Sequence, residues 1–98
     1  MYVLTGTYAT EHGSKYLQQL CKHFGHKIET SFTETEGACH FAFGTAHMQA
    51  DGGGLTVRVE LDDANHADQA RSVIDKHLER FAFREDFKAM DWGQAEPA

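Results

Sequence analysis

Two stretches of the chain space their apolar residues with the period of an α-helix. The first runs from Ser14 to Lys27, where apolar side chains follow the i, i+3, i+4, i+7 spacing of an amphipathic helix. Its apolar residues are Leu17, Leu20, Cys21 and Phe24. The second is predicted to begin at a cap provided by Asp62 or Asp63 and to end near Phe83. Its core-facing residues are Ala67, Ala70, Ile74, His77, Leu78 and Phe81.

Most of the remaining chain up to Leu61 alternates apolar and polar residues, which is the period of a β-strand. Residues from Tyr2 to Ala9 are rich in aromatic and β-branched side chains and predict a first strand. Between Lys27 and Leu61 the alternation predicts four more strands, separated by short turn-forming segments. Connections of this length join antiparallel neighbours, so these four strands are predicted to form a meander.

One face of this meander is predicted to be apolar and the other polar. The polar positions are Glu29, Ser31, His40, His47, Gln49, Thr56, Arg58 and Glu60. A turn at Thr35-Glu36 places Ser31 opposite His40, and the glycine-rich turn further on places His47 opposite Arg58. A solvated sheet face is the simpler interpretation of these positions. The alternative is a binding or subunit surface that includes His40, His47 and Arg58.

The pattern as a whole predicts an α+β fold with the element order β-α-β-β-β-β-α, in which both helices pack on one face of an antiparallel sheet. The 98 residues are enough for one domain with one hydrophobic core. This domain is predicted to span residues 1–92. Residues 93–98, which contain the single proline, are predicted to form a flexible C-terminal tail.

Composition and charge narrow the class of partner. The formal net charge is -6, whereas proteins that hold nucleic acid through phosphate contacts carry a basic surplus, so no nucleic-acid partner is expected. No apolar run approaches the roughly 20 residues that cross a bilayer, and the first residues lack the pattern of a signal peptide. We therefore expect a cytoplasmic protein with no membrane partner. In that compartment Cys21 and Cys39, both on predicted core faces, are expected to remain thiols.

Basic side chains gather along one edge of the two predicted helices. The candidate ligand-binding residues are Lys22, His23, His26, His77, Arg80 and Arg84. Guanidinium groups near an imidazole bind carboxylates or phosphates through charge-assisted hydrogen bonds. The structural alternative is that the arginines pair with acidic neighbours such as Glu29, Glu34 or Asp86.

Seven histidines and two cysteines raise the question of a metal site. No two ligand pairs stand at the short loop spacings of structural zinc motifs. A composite site from His23, His26 and His77 requires the two helices to pack side by side. Cys21 is not expected to act as a nucleophile, because it lies on an apolar stripe near a helix C-terminus, where the helix dipole disfavours a thiolate. No cofactor is predicted, and a metal held by the three histidines stays as an alternative.

Three segments of the chain together resemble a known bacterial family. They are YLQQLCKHFGHK in the first helix, FTETEG leading into the third strand and HLERFAFRE at the end of the second helix. From Tyr2 to about Trp92 the chain is similar to the small bacterial proteins catalogued as domain of unknown function 2218. The resemblance implies a short stand-alone protein with no established activity and no assigned catalytic residue. It also implies a link to iron uptake, because similar segments occur with siderophore-interacting flavin reductases.

These observations favour a small non-catalytic binding or accessory module over an enzyme. The basic edge suits an anionic small molecule or the acidic surface of an iron-uptake protein. One alternative is a small metal-binding protein or metal-dependent enzyme that uses His23, His26 and His77. Another is a homodimer that associates through the open sheet face, so a monomer and a homodimer both agree with the sequence.

Overall fold

A computed structural model describes all 98 residues, from Met1 to Ala98. Two α-helices and seven β-strands form one α+β domain with an antiparallel sheet, which confirms the predicted fold class. The helices are α1 (Gly13–Phe24) and α2 (Ala67–Phe81). The strands are β1 (Tyr2–Ala9), β2 (Thr30–Phe32), β3 (Glu36–Phe41), β4 (Gly44–Asp51), β5 (Gly54–Leu61), β6 (Asp91–Trp92) and β7 (Glu96–Pro97). Neither helix combines the length and the apolar character needed to span a bilayer.

The strands follow the order β2-β3-β4-β5-β1-β6, and β7 also pairs with β1. The meander from β2 to β5 is present, and β1 extends it by pairing with β5 along its whole length. His47 lies opposite Arg58, as predicted from the glycine-rich turn. The first strand of the chain is therefore placed in the sheet by a contact that is distant in sequence.

The pairing of β2 with β3 differs from the prediction by two positions. Ser31 lies opposite Ala38 rather than opposite His40. The cause is the turn, which is centred one residue earlier than predicted: the backbone amide of Thr33 donates to the carbonyl of Glu36 at 2.7 Å. A turn displaced by one residue shifts the cross-strand pairing by two, so the polar and apolar faces are kept while the neighbours change.

The hydrophobic core lies between the sheet and the two helices, and most residues of the predicted helical stripes are buried in it. His77 and Phe81, predicted on the core side of the second helix, are only half-buried. The buried helical residues are Tyr16, Leu17, Leu20, Cys21, Phe24, Ala67, Ala70, Ile74 and Leu78. Gly13 lets the start of α1 approach the hairpin between β4 and β5, because a Cβ atom there would lie 2.6 Å from the carbonyl oxygen of Gly54. Asp63 caps a short 3-10 turn at residues 64–66, so α2 begins later than predicted, at Ala67.

The C-terminal segment adds two short strands that the sequence pattern does not predict. Both β6 and β7 pair with β1 on the side away from β5, which covers backbone groups that an edge strand would expose. Asp75 of α2 accepts hydrogen bonds from the amide of Met90 at 3.0 Å and from the indole of Trp92 at 2.9 Å. The segment 93–98, predicted as a flexible tail, thus contains a strand of the sheet, and its flexibility stays a prediction.

Candidate functional site

Four of the six predicted basic residues line one groove where the end of α1 meets α2. We call it the histidine groove, and its volume is about 420 Å³. Its lining residues are His23, Phe24, His26, Lys27, Ile28, Phe41, Val73, His77 and Arg80. Lys22 and Arg84 lie outside it; the guanidinium of Arg84 lies 5.7 Å from the ring centroid of Phe83. The helical periodicity predicted one basic edge, but only the packing of the two helices selects the side chains that face the groove.

The two central imidazoles, of His23 and His77, are in contact, with ring centroids 4.7 Å apart. The Nδ1 atom of His77 lies 2.7 Å from the carbonyl oxygen of Val73 one turn earlier on α2. A carbonyl only accepts hydrogen bonds, so Nδ1 must carry the proton. In the neutral ring, Nε2 of His77 is then the atom with a free lone pair, and no protein group bonds to it. The local helical hydrogen bond thus fixes the orientation of the His77 ring and leaves Nε2 unbonded.

Aromatic rings form the apolar wall of the histidine groove. Phe24 packs edge-on against Phe41 of β3 at a centroid distance of 4.9 Å and against His77 at 5.0 Å. Phe24 is buried, whereas Phe41 is half-buried and extends the wall outward. The ring of Phe24 supports one side of the His77 imidazole, so the groove combines a fixed polar group with an apolar surface.

The electrostatics of the groove disfavour further positive charge. Burial lowers the pKa of His23, and the nearby His77, Arg80, His26 and Lys27 lower it further. No acidic residue lines the groove to offset these charges. A bound anion would act in the opposite direction and raise the pKa of His23, so ligand binding and protonation are expected to be coupled.

The three histidines considered as metal ligands are not arranged as a ready ligand set, and metal binding by them stays a prediction. No set of three histidine, cysteine, aspartate or glutamate side chains is arranged to hold a metal ion. His23 and His77 are in ring contact, whereas His26 lies two residues beyond Phe24, the last residue of α1. The histidines therefore share a groove without forming a coordination sphere.

The predicted open-face residues lie on the polar side of the sheet, but they do not form one cluster. His40 contacts the hydroxyl of Thr45 at 3.2 Å, and His47 contacts the carboxylate of Glu60 at 2.5 Å. Arg58 has no ion pair within the chain. A second concavity of about 620 Å³ covers this face, and we call it the open-face groove. It is lined by Thr5, Ser31, Phe32, Thr33, Glu36, Gly37, Ala38, His47, Met48, Gln49, Thr56 and Arg58, so His40 is not part of it.

A polar cluster that the sequence did not predict surrounds Glu85. Its carboxylate accepts hydrogen bonds from the hydroxyls of Tyr8 at 2.9 Å and Thr10 at 2.8 Å, and from that of Tyr16. Burial raises the pKa of Glu85, but these three hydrogen bonds outweigh it and the net pKa is lowered. Burial and the contact with Glu85 raise the pKa of each tyrosine to about 12. The only signal in the sequence was the second glutamate of HLERFAFRE, which gives no hint of its distant partners.

The hydrogen bonds of the Glu85 cluster stabilise the fold, and the cluster is not a reactive site. Both carboxylate oxygens are occupied by hydroxyl donors, and the raised tyrosine pKa values keep those donors protonated at neutral pH. The cluster joins the turn after α2 to β1 and α1. The hydrogen bonds of Glu85 thus explain the presence of this glutamate in the motif HLERFAFRE without a ligand.

Comparison with known proteins places the chain in a family. Residues 5–93 match the model of the family described as uncharacterized protein conserved in bacteria, DUF2218. No functionally curated protein matches the chain. Among solved structures, it is similar to the NMR structure of PA4090 from Pseudomonas aeruginosa, with 28% sequence identity and a TM-score of 0.81 over 99% of this chain and 100% of that chain. The chain therefore belongs to the bacterial family of uncharacterised proteins named domain of unknown function 2218.

Proposed function

We propose that this protein is a non-catalytic binding module whose histidine groove accepts a small anionic ligand with an apolar body. The observation that carries the proposal is the composition of the groove. Five of its lining side chains are basic or imidazole, four are apolar, and none is acidic. On a chain with a formal net charge of -6, a basic groove is a local exception that attracts anions.

Each wall of the histidine groove suits a different part of the proposed ligand. Arg80 and Lys27 provide the full positive charges for a carboxylate, sulfonate or phosphate group. Nε2 of His77 provides one fixed polar contact, because Nδ1 is held by Val73. Phe24 and Phe41 provide the surface against which an apolar or aromatic body packs.

Binding, rather than catalysis, is what the side chains of the groove support best. The groove contains no carboxylate, hydroxyl or thiol, so its imidazoles have no such nucleophile beside them to activate. Neither the family description nor the name of the similar structure mentions iron or siderophores. The proposed ligand is therefore defined by charge and apolar character alone.

Chemical-shift mapping with 2-naphthoate tests this proposal, since that probe joins a carboxylate to an apolar ring. We expect saturable shifts at residues of the histidine groove in ¹⁵N-labelled protein. Acetate, which has the charge alone, and 2-naphthalenemethanol, which has the ring alone, are expected to bind more weakly. Arg80→Gln should weaken 2-naphthoate binding by about tenfold. Arg84→Gln is the matched control, because it removes a guanidinium of the same helical edge outside the groove. Equal losses in the two variants, or shifts confined to the open sheet face, would overturn the proposal.

Association of two copies through the open sheet face is a second proposal. Arg58 and Glu36 both line the open-face groove, and neither forms an ion pair within the chain. Two facing copies offer each of these charges a partner of opposite sign. Light scattering after size-exclusion chromatography measures the mass, and Arg58→Glu should shift a dimer to monomer. The double exchange Arg58→Glu with Glu36→Arg should restore the dimer, and a wild-type monomer at every concentration would refute this second proposal.

A further inference from the structure

The two cysteines of the chain meet inside the core, although they are far apart in the sequence. Cys21 lies on α1 and Cys39 on β3, and their Sγ atoms are 3.7 Å apart. Both side chains are fully buried, with an exposed fraction of 0%. The contact is made without any intervening side chain, and it joins a helix to the strand beneath it.

The backbone around this thiol pair is shaped to admit the sulfur of Cys21. Gly37 lies two residues before Cys39 on β3, and a Cβ atom at Gly37 would stand only 2.8 Å from the Sγ atom of Cys21. The sulfur therefore occupies space that any other residue at position 37 would fill. A disulfide requires the sulfurs to approach from 3.7 Å to about 2.05 Å, so its formation requires α1 to move slightly against the sheet.

We propose that Cys21 and Cys39 form a reversible disulfide that links α1 to β3, with a hydroperoxide such as hydrogen peroxide as the oxidant. A small oxidant is required because both thiols are fully buried and are reached only when the structure around them opens locally. The two sulfurs that join in the disulfide are already in contact in the reduced protein.

The chemistry balances in two steps. In the first, the Cys21 sulfur attacks one peroxide oxygen: a sulfur–oxygen bond forms, the oxygen–oxygen bond breaks, and the released hydroxide takes the thiol proton to give water. In the second, the Cys39 sulfur attacks the Cys21 sulfenic acid: the disulfide forms, the sulfur–oxygen bond breaks, and the hydroxyl leaves with the Cys39 proton as a second water. The two thiols lose two electrons, and the peroxide gains them.

Either thiol can donate the hydrogen bond between the two sulfurs. That bond lowers the pKa of Cys21, although burial opposes the effect. The same bond, together with burial, raises the pKa of Cys39. Because the thiolate is the nucleophile, the sulfur that accepts this bond reacts first and the other resolves it, and the two steps take Cys21 as that acceptor.

Peptide mapping after exposure of the reduced, folded protein to hydrogen peroxide tests the proposal. We expect the intact mass to fall by about 2 Da, a digest to contain a peptide linking Cys21 to Cys39, and dithiothreitol to reverse both changes. The linked form should retain the native amide spectrum and show a melting temperature higher by roughly 10 °C, because the link restrains the unfolded chain. Cys39→Ser should stop at a sulfenic acid that dimedone captures on Cys21.

Three outcomes would overturn the proposal. One is a mass gain of about 32 Da from over-oxidation to sulfinic acid, with no linked peptide. Another is a link found only between two chains. The third is an internal link that appears only when the native amide spectrum is lost, since the bridge would then form in the unfolded chain. The wild-type peptide map decides among these outcomes even if the serine variant fails to fold.

Discussion

The imidazole of His23 packs against the imidazole of His77, with the ring planes inclined by 44° and the centroids 4.7 Å apart. One ring comes from α1 and the other from α2, so this contact joins the two helices within the histidine groove. Two imidazoles in contact repel each other when both are protonated. The groove is therefore sensitive to pH even without a ligand.

The pKa of His23 predicts how stability changes with acid. Burial first, and then neighbouring positive groups, place its pKa in the folded protein below the ordinary value of 6.5. The unfolded chain thus binds the proton first as the pH falls below 6.5, and the free energy of unfolding falls with it. Urea unfolding at pH 7.5 and at pH 5.0 should show a smaller loss for His23→Gln than for the wild type. His66→Gln, which changes an exposed histidine outside the groove, is the control, and an equal reduction there would contradict the prediction.

The hydrogen bonds of Asp75 predict a large effect from one substitution on α2. Asp75→Ala removes the acceptor of the Met90 amide and of the Trp92 indole, and it should lower the free energy of unfolding by about 2 kcal/mol. The indole proton of Trp92, the single tryptophan, should also exchange faster because β6 is released. Asp68→Ala is the matched control, since its carboxylate pairs with Arg71 at the surface and is worth at most about 0.5 kcal/mol. If both variants lose the same stability, Asp75 does not anchor the segment.

The Glu85 cluster predicts effects at both ends of the pH scale. Glu85→Gln should cost about 1–2 kcal/mol at neutral pH, because an amide is a weaker acceptor for the hydroxyls of Tyr8, Thr10 and Tyr16. The lowered pKa of Glu85 means that the wild type keeps this stabilisation above the ordinary value of 4.5 and loses it as the pH falls through the folded pKa. The difference between the two proteins should therefore shrink in acid.

Tyrosine ionisation provides a separate measurement of the same cluster. Tyr8 and Tyr16 have their pKa values raised to about 12, so the unfolded chain loses these protons first above pH 10 and stability falls as the pH rises from there. Absorbance titration should show two of the three tyrosines ionising near pH 12 in the folded protein. In Glu85→Gln, the same two should ionise at lower pH. Ionisation of all three near pH 10 in the folded wild type would show that the cluster is not formed.

Gly13 predicts a steric limit at the start of α1. Gly13→Ala should lower the free energy of unfolding by about 1–3 kcal/mol, because its Cβ atom would stand 2.6 Å from a backbone oxygen that cannot move alone. Gly52→Ala is the control, since nothing lies within 4 Å of a Cβ atom there. Chemical unfolding of the two variants provides the comparison. A gain in stability for Gly13→Ala, as helix propensity alone predicts, would show that α1 can move away from the sheet.

Periodicity in the sequence predicted the elements and their buried faces. The helical stripe of α1 and the alternation along β5 depend only on which residues are apolar, and one hydrophobic face must be buried wherever the element packs. For the same reason, the burial of Cys21 and Cys39 was predicted correctly without knowledge of their contact. The two-residue strands β6 and β7 were missed, because a strand of that length has no period to detect.

The composition of each site was decided by the tertiary structure alone. Lys22 and Lys27 are equally basic in the sequence, yet only Lys27 faces the histidine groove, because the turn after Phe24 redirects the chain toward β2. Glu85 finds its three hydroxyl partners near the other end of the chain. The sequence by itself determined most of the buried positions and the polar face of the sheet, since these follow from local spacing. Which polar residues meet one another depends on how distant segments close around the core, and no local pattern carries that information.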